Sequence, residues 1–113
     1  MYEKKFILTI FCILLSNICF AQTSNGYISN RRGLIMQALD NGALGYICPK
    51  WALDDSDCRS GQFVYFNFNN DFVDNQRFTV SKNYYLYANG VYKYINRENQ
   101  TKTVRKIELY SKY

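Results

Sequence analysis

Along the second half of this chain, apolar and polar residues alternate with a period of two. Phe63-Val64-Tyr65-Phe66-Asn67-Phe68 is rich in aromatic and β-branched residues and predicts a strand. Asn69 to Asn75 is a polar turn. Arg77-Phe78-Thr79-Val80-Ser81 alternates cleanly, with Phe78 and Val80 inward. After a polar loop from Asn96 to Lys102, Thr103 to Tyr110 predicts a last strand. It places Ile107 and Leu109 on one face, Lys106 and Glu108 on the other.

Between these lies Tyr84-Tyr85-Leu86-Tyr87-Ala88-Asn89-Gly90-Val91-Tyr92-Lys93-Tyr94-Ile95. Asn-Gly between two alternating runs is a strong hairpin signal, because a type I′ turn needs positive φ at both central residues. A turn at Asn89-Gly90 sets Tyr87 opposite Tyr92 and Tyr85 opposite Tyr94. One face then carries Tyr84, Leu86, Ala88, Val91, Lys93 and Ile95. The other carries Tyr85, Tyr87, Tyr92 and Tyr94. Leu, Val and Ile are buried more often than Tyr, so the tyrosine face is expected to look outward.

The first half carries a different period. Leu34, Ile35, Ala38 and Leu39 recur at helical spacing, with Ser29 or Asn30 as cap and Gly42 as stop. A helix from Arg31 follows, although Arg31 and Arg32 stand at the end unfavourable for cations. Gly45 to Gly61 reads as an ordered loop holding the single proline (Pro49), the single tryptophan (Trp51), Cys48 and Cys58. The expected fold is therefore α+β. One N-terminal helix packs on an antiparallel meander of four to five strands, forming a single domain over residues 31–113 behind a flexible leader at 22–30.

The N-terminus changes the context of that domain. Met1 to Lys5 is a short basic head, Phe6 to Leu15 a nearly unbroken apolar run, and Ser16 to Ala21 a more polar exit. These are the parts of a cleavable secretory signal, resembling the bacterial general-secretion type, with the cut after Ala21. The run is too short for a spanning helix, which needs about 20 apolar residues. Neither Cys12 nor Cys19 follows the small residues a lipid-accepting cysteine requires, so lipidation ranks behind cleavage. A periplasmic or extracellular monomer is expected, with no transmembrane segment after cleavage.

Export bears on the cysteines. Of four, Cys48 and Cys58 remain after cleavage, and a disulfide between them is the simplest outcome. A two-cysteine metal site lacks its usual further ligands, since the chain has no histidine. No metal or other cofactor is expected. Asp54-Asp55-Ser56-Asp57 fails the calcium-loop pattern, with Ser60 where the glycine and Phe66 where the glutamate should stand. Asn99-Gln100-Thr101 matches a glycosylation sequon, a weak signal.

Charge is uneven within a net of +5 for the whole chain. Residues 76–113 carry Arg77, Lys82, Lys93, Arg97, Lys102, Arg105, Lys106 and Lys112 against Glu98 and Glu108. A basic face attracts anionic partners; for an exported chain an anionic envelope polymer or a protein is expected, not nucleic acid. A solvated sheet face whose lysines discourage edge pairing is the plainer account. Catalysis has little to build on: no histidine, no free thiol after pairing, and glutamates only at Glu98 and Glu108 beyond the signal. The reading is a small exported binding module, inhibitor-like or polymer-binding, with Tyr85, Tyr87, Tyr92 and Tyr94 as its candidate site. A structural subunit of the envelope, and then a small hydrolase, are the alternatives.

Overall fold

The computed structural model describes residues 25–113; the expected signal segment lies outside them. Seven strands form one mixed sheet: β1 (Gly26–Ile28), β2 (Arg32–Leu39), β3 (Gly42–Ile47), β4 (Gln62–Phe66), β5 (Arg77–Thr79), β6 (Tyr84–Ile95) and β7 (Thr101–Ser111). Their order across the sheet is β1-β6-β7-β4-β3-β2-β5. All neighbours are antiparallel except β4 and β7, which run parallel at the centre. Among the described residues the one helix is the single turn α1 (Asp55–Cys58). None is long and apolar enough to cross a membrane.

This overturns the expected helix-on-meander architecture. The segment from Arg31 is not a helix but strand β2, and a β-bulge at Met36 misled the periodicity. Ile35 faces Gly45 and Gln37 faces Leu44, so Met36 is an extra residue. The bulge shifts the alternation by one and mimics a helical stripe. Burial on both sides of the sheet adds to the resemblance, since Gly33, Leu34 and Ile35 are all buried. Backbone groups beside the bulge bond to the returning chain. Ile35 N–H donates to the Gln76 carbonyl (2.8 Å), Asn75 N–H to that of Ile35 (2.8 Å), and Ala38 N–H to Asp74 Oδ1 (2.8 Å).

The hairpin expected at Asn89-Gly90 is also corrected. β6 runs straight through this pair, and Asn89 and Gly90 together oppose Lys106 in a second bulge. Gly90 has φ +83°, a conformation that side chains disfavour. Its N–H donates to Asn25 Oδ1 (2.8 Å), so the group displaced from the ladder is still bonded. The reversal comes instead at Asn96–Gln100, with Asn99 at φ 60°. Within the segment read as a leader, Gly26–Ile28 pairs with Leu86–Ala88 of β6.

The connections force the sheet to curl. β1 and β2 stand five positions apart in the strand order, as do β6 and β5. In a flat sheet that separation is about 24 Å. Ser29–Arg31, which joins β1 to β2, spans at most about 15 Å from Ile28 to Arg32. The far sides must therefore swing toward each other. Arg31 fastens the closure: its guanidinium donates to the carbonyls of Val80 (2.8 Å), Ser81 and Tyr84 (3.4 Å), while its own carbonyl accepts Val80 N–H (2.7 Å). The concave side holds the core of Ile35, Ala43, Ile47, Val64, Phe66, Val80, Leu86, Ala88 and Ile107. Phe66 and Phe78 meet edge to face there (5.1 Å, 87°).

On the convex side the segment after β3 folds back over β2. The Cys48–Cys58 disulfide forms (S–S 2.09 Å) and packs with Leu34 and Ala52 in a second buried cluster. In the chain-entropy model a closure this short contributes about 2–3 kcal/mol. Arg32 donates to the carbonyls of Pro49 (3.2 Å), Lys50 (3.1 Å) and Ala52 (2.8 Å), so one guanidinium sets the course of the loop. The aspartate run has a structural use. Asp54 caps α1 by accepting Asp57 N–H (2.9 Å), and Asp57 Oδ2 accepts Leu53 N–H (2.9 Å).

Two glycines separate crowding from conformation. A methyl on Gly33 would overlap the Phe78 ring and stand 3.1 Å from Phe66 Cζ. Gly33→Ala should therefore cost about 1–3 kcal/mol through forced repacking. At Gly90 a methyl would meet Lys106 Cε at an unstrained 3.7 Å, so Gly90→Ala should lose only the conformational term, about 1–2 kcal/mol. Adding Phe78→Leu should recover part of the loss at Gly33 and nothing at Gly90. Chemical denaturation of the four variants checks this, and equal recovery at both positions would contradict it.

Candidate functional site

Strand register decides which aromatic rings share a face. Tyr87 pairs with Glu108 and Tyr92 with Val104, four residues apart on β7, so both tyrosines lie on the same side. The bulge absorbs the odd residue between them, as a two-residue turn would have done. Tyr85, Tyr87, Tyr92 and Tyr94 are thus together on the convex face, each half-buried. Their opposite numbers divide. Leu86 and Ala88 enter the core, whereas Val91 and Ile95 are exposed. β1 pairs with β6 only up to Ala88, and the β4–β7 ladder begins at Arg105, so the far end of the β6–β7 ribbon extends past the core.

The four tyrosines form two clusters, not one square patch. In the first, Tyr85 lies 5.8 Å from Tyr27 and 5.8 Å from Tyr110, and Tyr87 lies 5.5 Å from Tyr110. Tyr27 is 61% exposed and Tyr110 37%. In the second, Tyr92 stacks on Tyr65 (3.7 Å, 10°), and Phe63 bridges Tyr94 (6.3 Å) and Tyr46 (5.0 Å). Tyr65 is only 6% exposed, so this cluster is anchored in the body of the sheet. Such aromatic pairs each contribute about 0.5–1.5 kcal/mol beyond area burial. The first cluster is open to solvent and the second is largely packing.

β7 sets Lys106 and Glu108 between them on the same face. Glu108 Oε2 accepts from Asn67 Nδ2 (2.9 Å), which holds the carboxylate toward β4. Lys102, opposite Tyr94, adds a second cation near the ribbon's end. Beside the packed cluster, a groove of about 600 Å³ runs between the ribbon and β2–β3, lined by Met36, Leu44, Phe63, Tyr94, Asp74 and Arg97 among others. Among the described residues, no group of three or more acidic or cysteine side chains is placed to hold a metal ion.

Tyr27, Tyr65 and Tyr110 were not singled out in the sequence. Tyr65 and Tyr110 lay in runs whose alternation was visible; what was missing was the strand order that brings them beside β6. Tyr27 stood in a short polar segment with no periodic signal. Comparison with protein-family models, with curated proteins and with solved structures finds no match.

Burial pushes the Tyr65 phenol above its ordinary value of 10.0, and Tyr92 and Glu108 add to the rise. The folded state thus favours the neutral phenol, and this stabilisation is complete below pH 10. As pH climbs past 10 the unfolded chain loses its proton first, so stability falls until the folded-state value is passed. Tyr65→Phe should flatten that alkaline decline while leaving the neutral-pH melt within a few degrees. Melting curves between pH 8 and 11 check it; an unchanged alkaline slope in the variant would be the contrary result.

Proposed function

We propose that this chain is a small exported binding module without catalytic chemistry, and that it engages its partner through the open tyrosine cluster of Tyr27, Tyr85, Tyr87 and Tyr110. The observation that carries the reading is the arrangement of these four rings on one sheet face, with Tyr27 and Tyr110 exposed and Tyr85 and Tyr87 half-buried between them. Tyrosine supplies large contact area at low entropic cost and suits both protein and sugar surfaces. Export rests on the three-part character of residues 1–21. The Cys48–Cys58 disulfide supports it, since such bonds persist in oxidising compartments. Tyr92 and Tyr94 now take a supporting role, because their rings are committed to Tyr65 and Phe63.

Lys106 and Lys102 on the same face favour an anionic partner, for which an acidic polysaccharide of the envelope is the candidate. Titration of ring-labelled protein with polygalacturonate should shift the Tyr27, Tyr85, Tyr87 and Tyr110 signals saturably, and dextran should not. Replacing both Tyr27 and Tyr110 with Ser should weaken binding at least tenfold, as truncated aromatic anchors do. Its melting temperature should stay within a few degrees. If the acidic polymer leaves these rings unmoved, or if the double variant binds as well as the parent, the reading fails.

A further inference from the structure

A second place in the molecule has the makings of a site, and it lies on the concave side, away from the tyrosines. Ile28 of β1, Ile47 and Pro49 at the end of β3, Gly61 and Gln62 at the start of β4, and Arg105 of β7 enclose a cleft of about 290 Å³ together with Asn30. Register shows why Arg105 points there. It pairs with Val64, and the two share their face with Phe66 and Ile107 in the core. The cation stands at the rim of the apolar face, with Val64 and Ile107 on its core side and Gln62 and Thr103 on its outer side.

Among the described residues that cation has no counter-ion: none of those lining the cleft is acidic, and the ion pair seen joins Arg77 to Asp55 (3.0 Å) elsewhere. Gln62 Oε1 accepts from Arg105 Nη1 (2.8 Å), which orients the guanidinium plane, but Nε is shut off from solvent with no acceptor. Because Nε is sealed even from water, a ligand oxygen entering the cleft would meet the guanidinium at its Nη atoms. Burial also pushes the guanidinium pKa below its ordinary value, though the group stays charged at neutral pH. The walls are fixed independently of any ligand. Asn30 Nδ2 donates to the Cys48 carbonyl (2.9 Å), tying the β1–β2 link to the disulfide. Gly61 lies so close against the Ile47 carbonyl that no side chain would fit there.

We propose that this cleft is a binding site for a small monocarboxylate with a short aliphatic body, the carboxylate on Arg105 and the chain against Ile28, Ile47 and Pro49. One cation matches one negative charge. The guanidinium fork suits a planar carboxylate, and aliphatic walls suit a hydrocarbon tail. The volume stands at the lower end of ligand pockets, which sets the size at a handful of carbons. This proposal is independent of the tyrosine face and survives its failure.

The test uses the full chain with ¹⁵N-labelled arginine and reads the Arg105 Nε–H signal. Sodium hexanoate should shift it saturably. 1-Hexanol and inorganic phosphate should each bind at least tenfold more weakly, the first for want of charge and the second for want of a tail. Arg105→Gln should lower hexanoate affinity at least tenfold. No saturable shift with hexanoate overturns the proposal. Equal binding of hexanol overturns it by reducing the cleft to an apolar hole. Equal binding of phosphate overturns it by reducing Arg105 to a general anion contact. These three comparisons need only the parent protein, so they decide the matter even if the Arg105 variant does not fold.

Discussion

Chain length between strands governs this molecule. Three residues join β1 to β2, and four join β5 to β6, yet each pair is separated by most of the width of the sheet. Strands cannot come closer than their hydrogen-bond spacing, and the links cannot stretch. Curvature is the one remaining freedom. Once the sheet bends, its concave side is sheltered enough to serve as a core, with no covering helix layer among the described residues. Arg31 then gathers carbonyls from both ends of the bend. The inside and outside of the molecule are defined by this closure more than by any single hydrophobic contact.

Among the described residues, the convex side has no second layer except the disulfide loop over β2 and β3. Its rings largely cover one another. Tyrosine suits this setting, since the ring packs laterally while the hydroxyl remains hydrated. Tyr65 shows how far such packing can go: a convex-side residue is buried by Tyr92 reaching across from β6. Where neighbours run out, at Tyr27 and Tyr110, rings stay open. A binding surface and a self-covering surface are here two ends of one continuous aromatic layer.

The strands of the second half were legible because each kept its alternation: Phe63 to Phe66, Arg77 to Thr79 and Thr103 to Tyr110 all lie in or along observed strands. The disulfide was legible from the expectation of export and from cysteine number. β2 was not, because the Met36 bulge breaks period two just where the strand is covered on both sides. Asn89-Gly90 was read as a turn because turn and bulge ask for the same backbone freedom at glycine. Local sequence cannot choose between them; the choice depends on whether β7 is free to pair with both halves of β6. That same long-range pairing decided the candidate site. The grouping of Tyr85, Tyr87, Tyr92 and Tyr94 on one side was visible locally, whereas their separate partners, Tyr110 and Tyr65, follow from strand order. Arg105 gave no local sign at all, since a lone arginine in a basic strand reads as solvated surface.

Asn25 caps the bulge at Gly90 across 65 residues of chain. The edge strand that follows it, β1, is among the first described parts of the polypeptide and can be completed only when β6 exists. The parallel β4–β7 ladder makes a similar demand, since its two halves are separated by β5 and β6. Closing such distant pairs is slow, because loop entropy is lost before contacts form. Until β7 emerges, β4 and β6 both lack a neighbour, and the inward faces of Val64, Phe66 and Leu86 stay wet. β7 thus joins the β1–β6 pair to the β4-β3-β2-β5 part of the sheet, and the sheet is complete only with it.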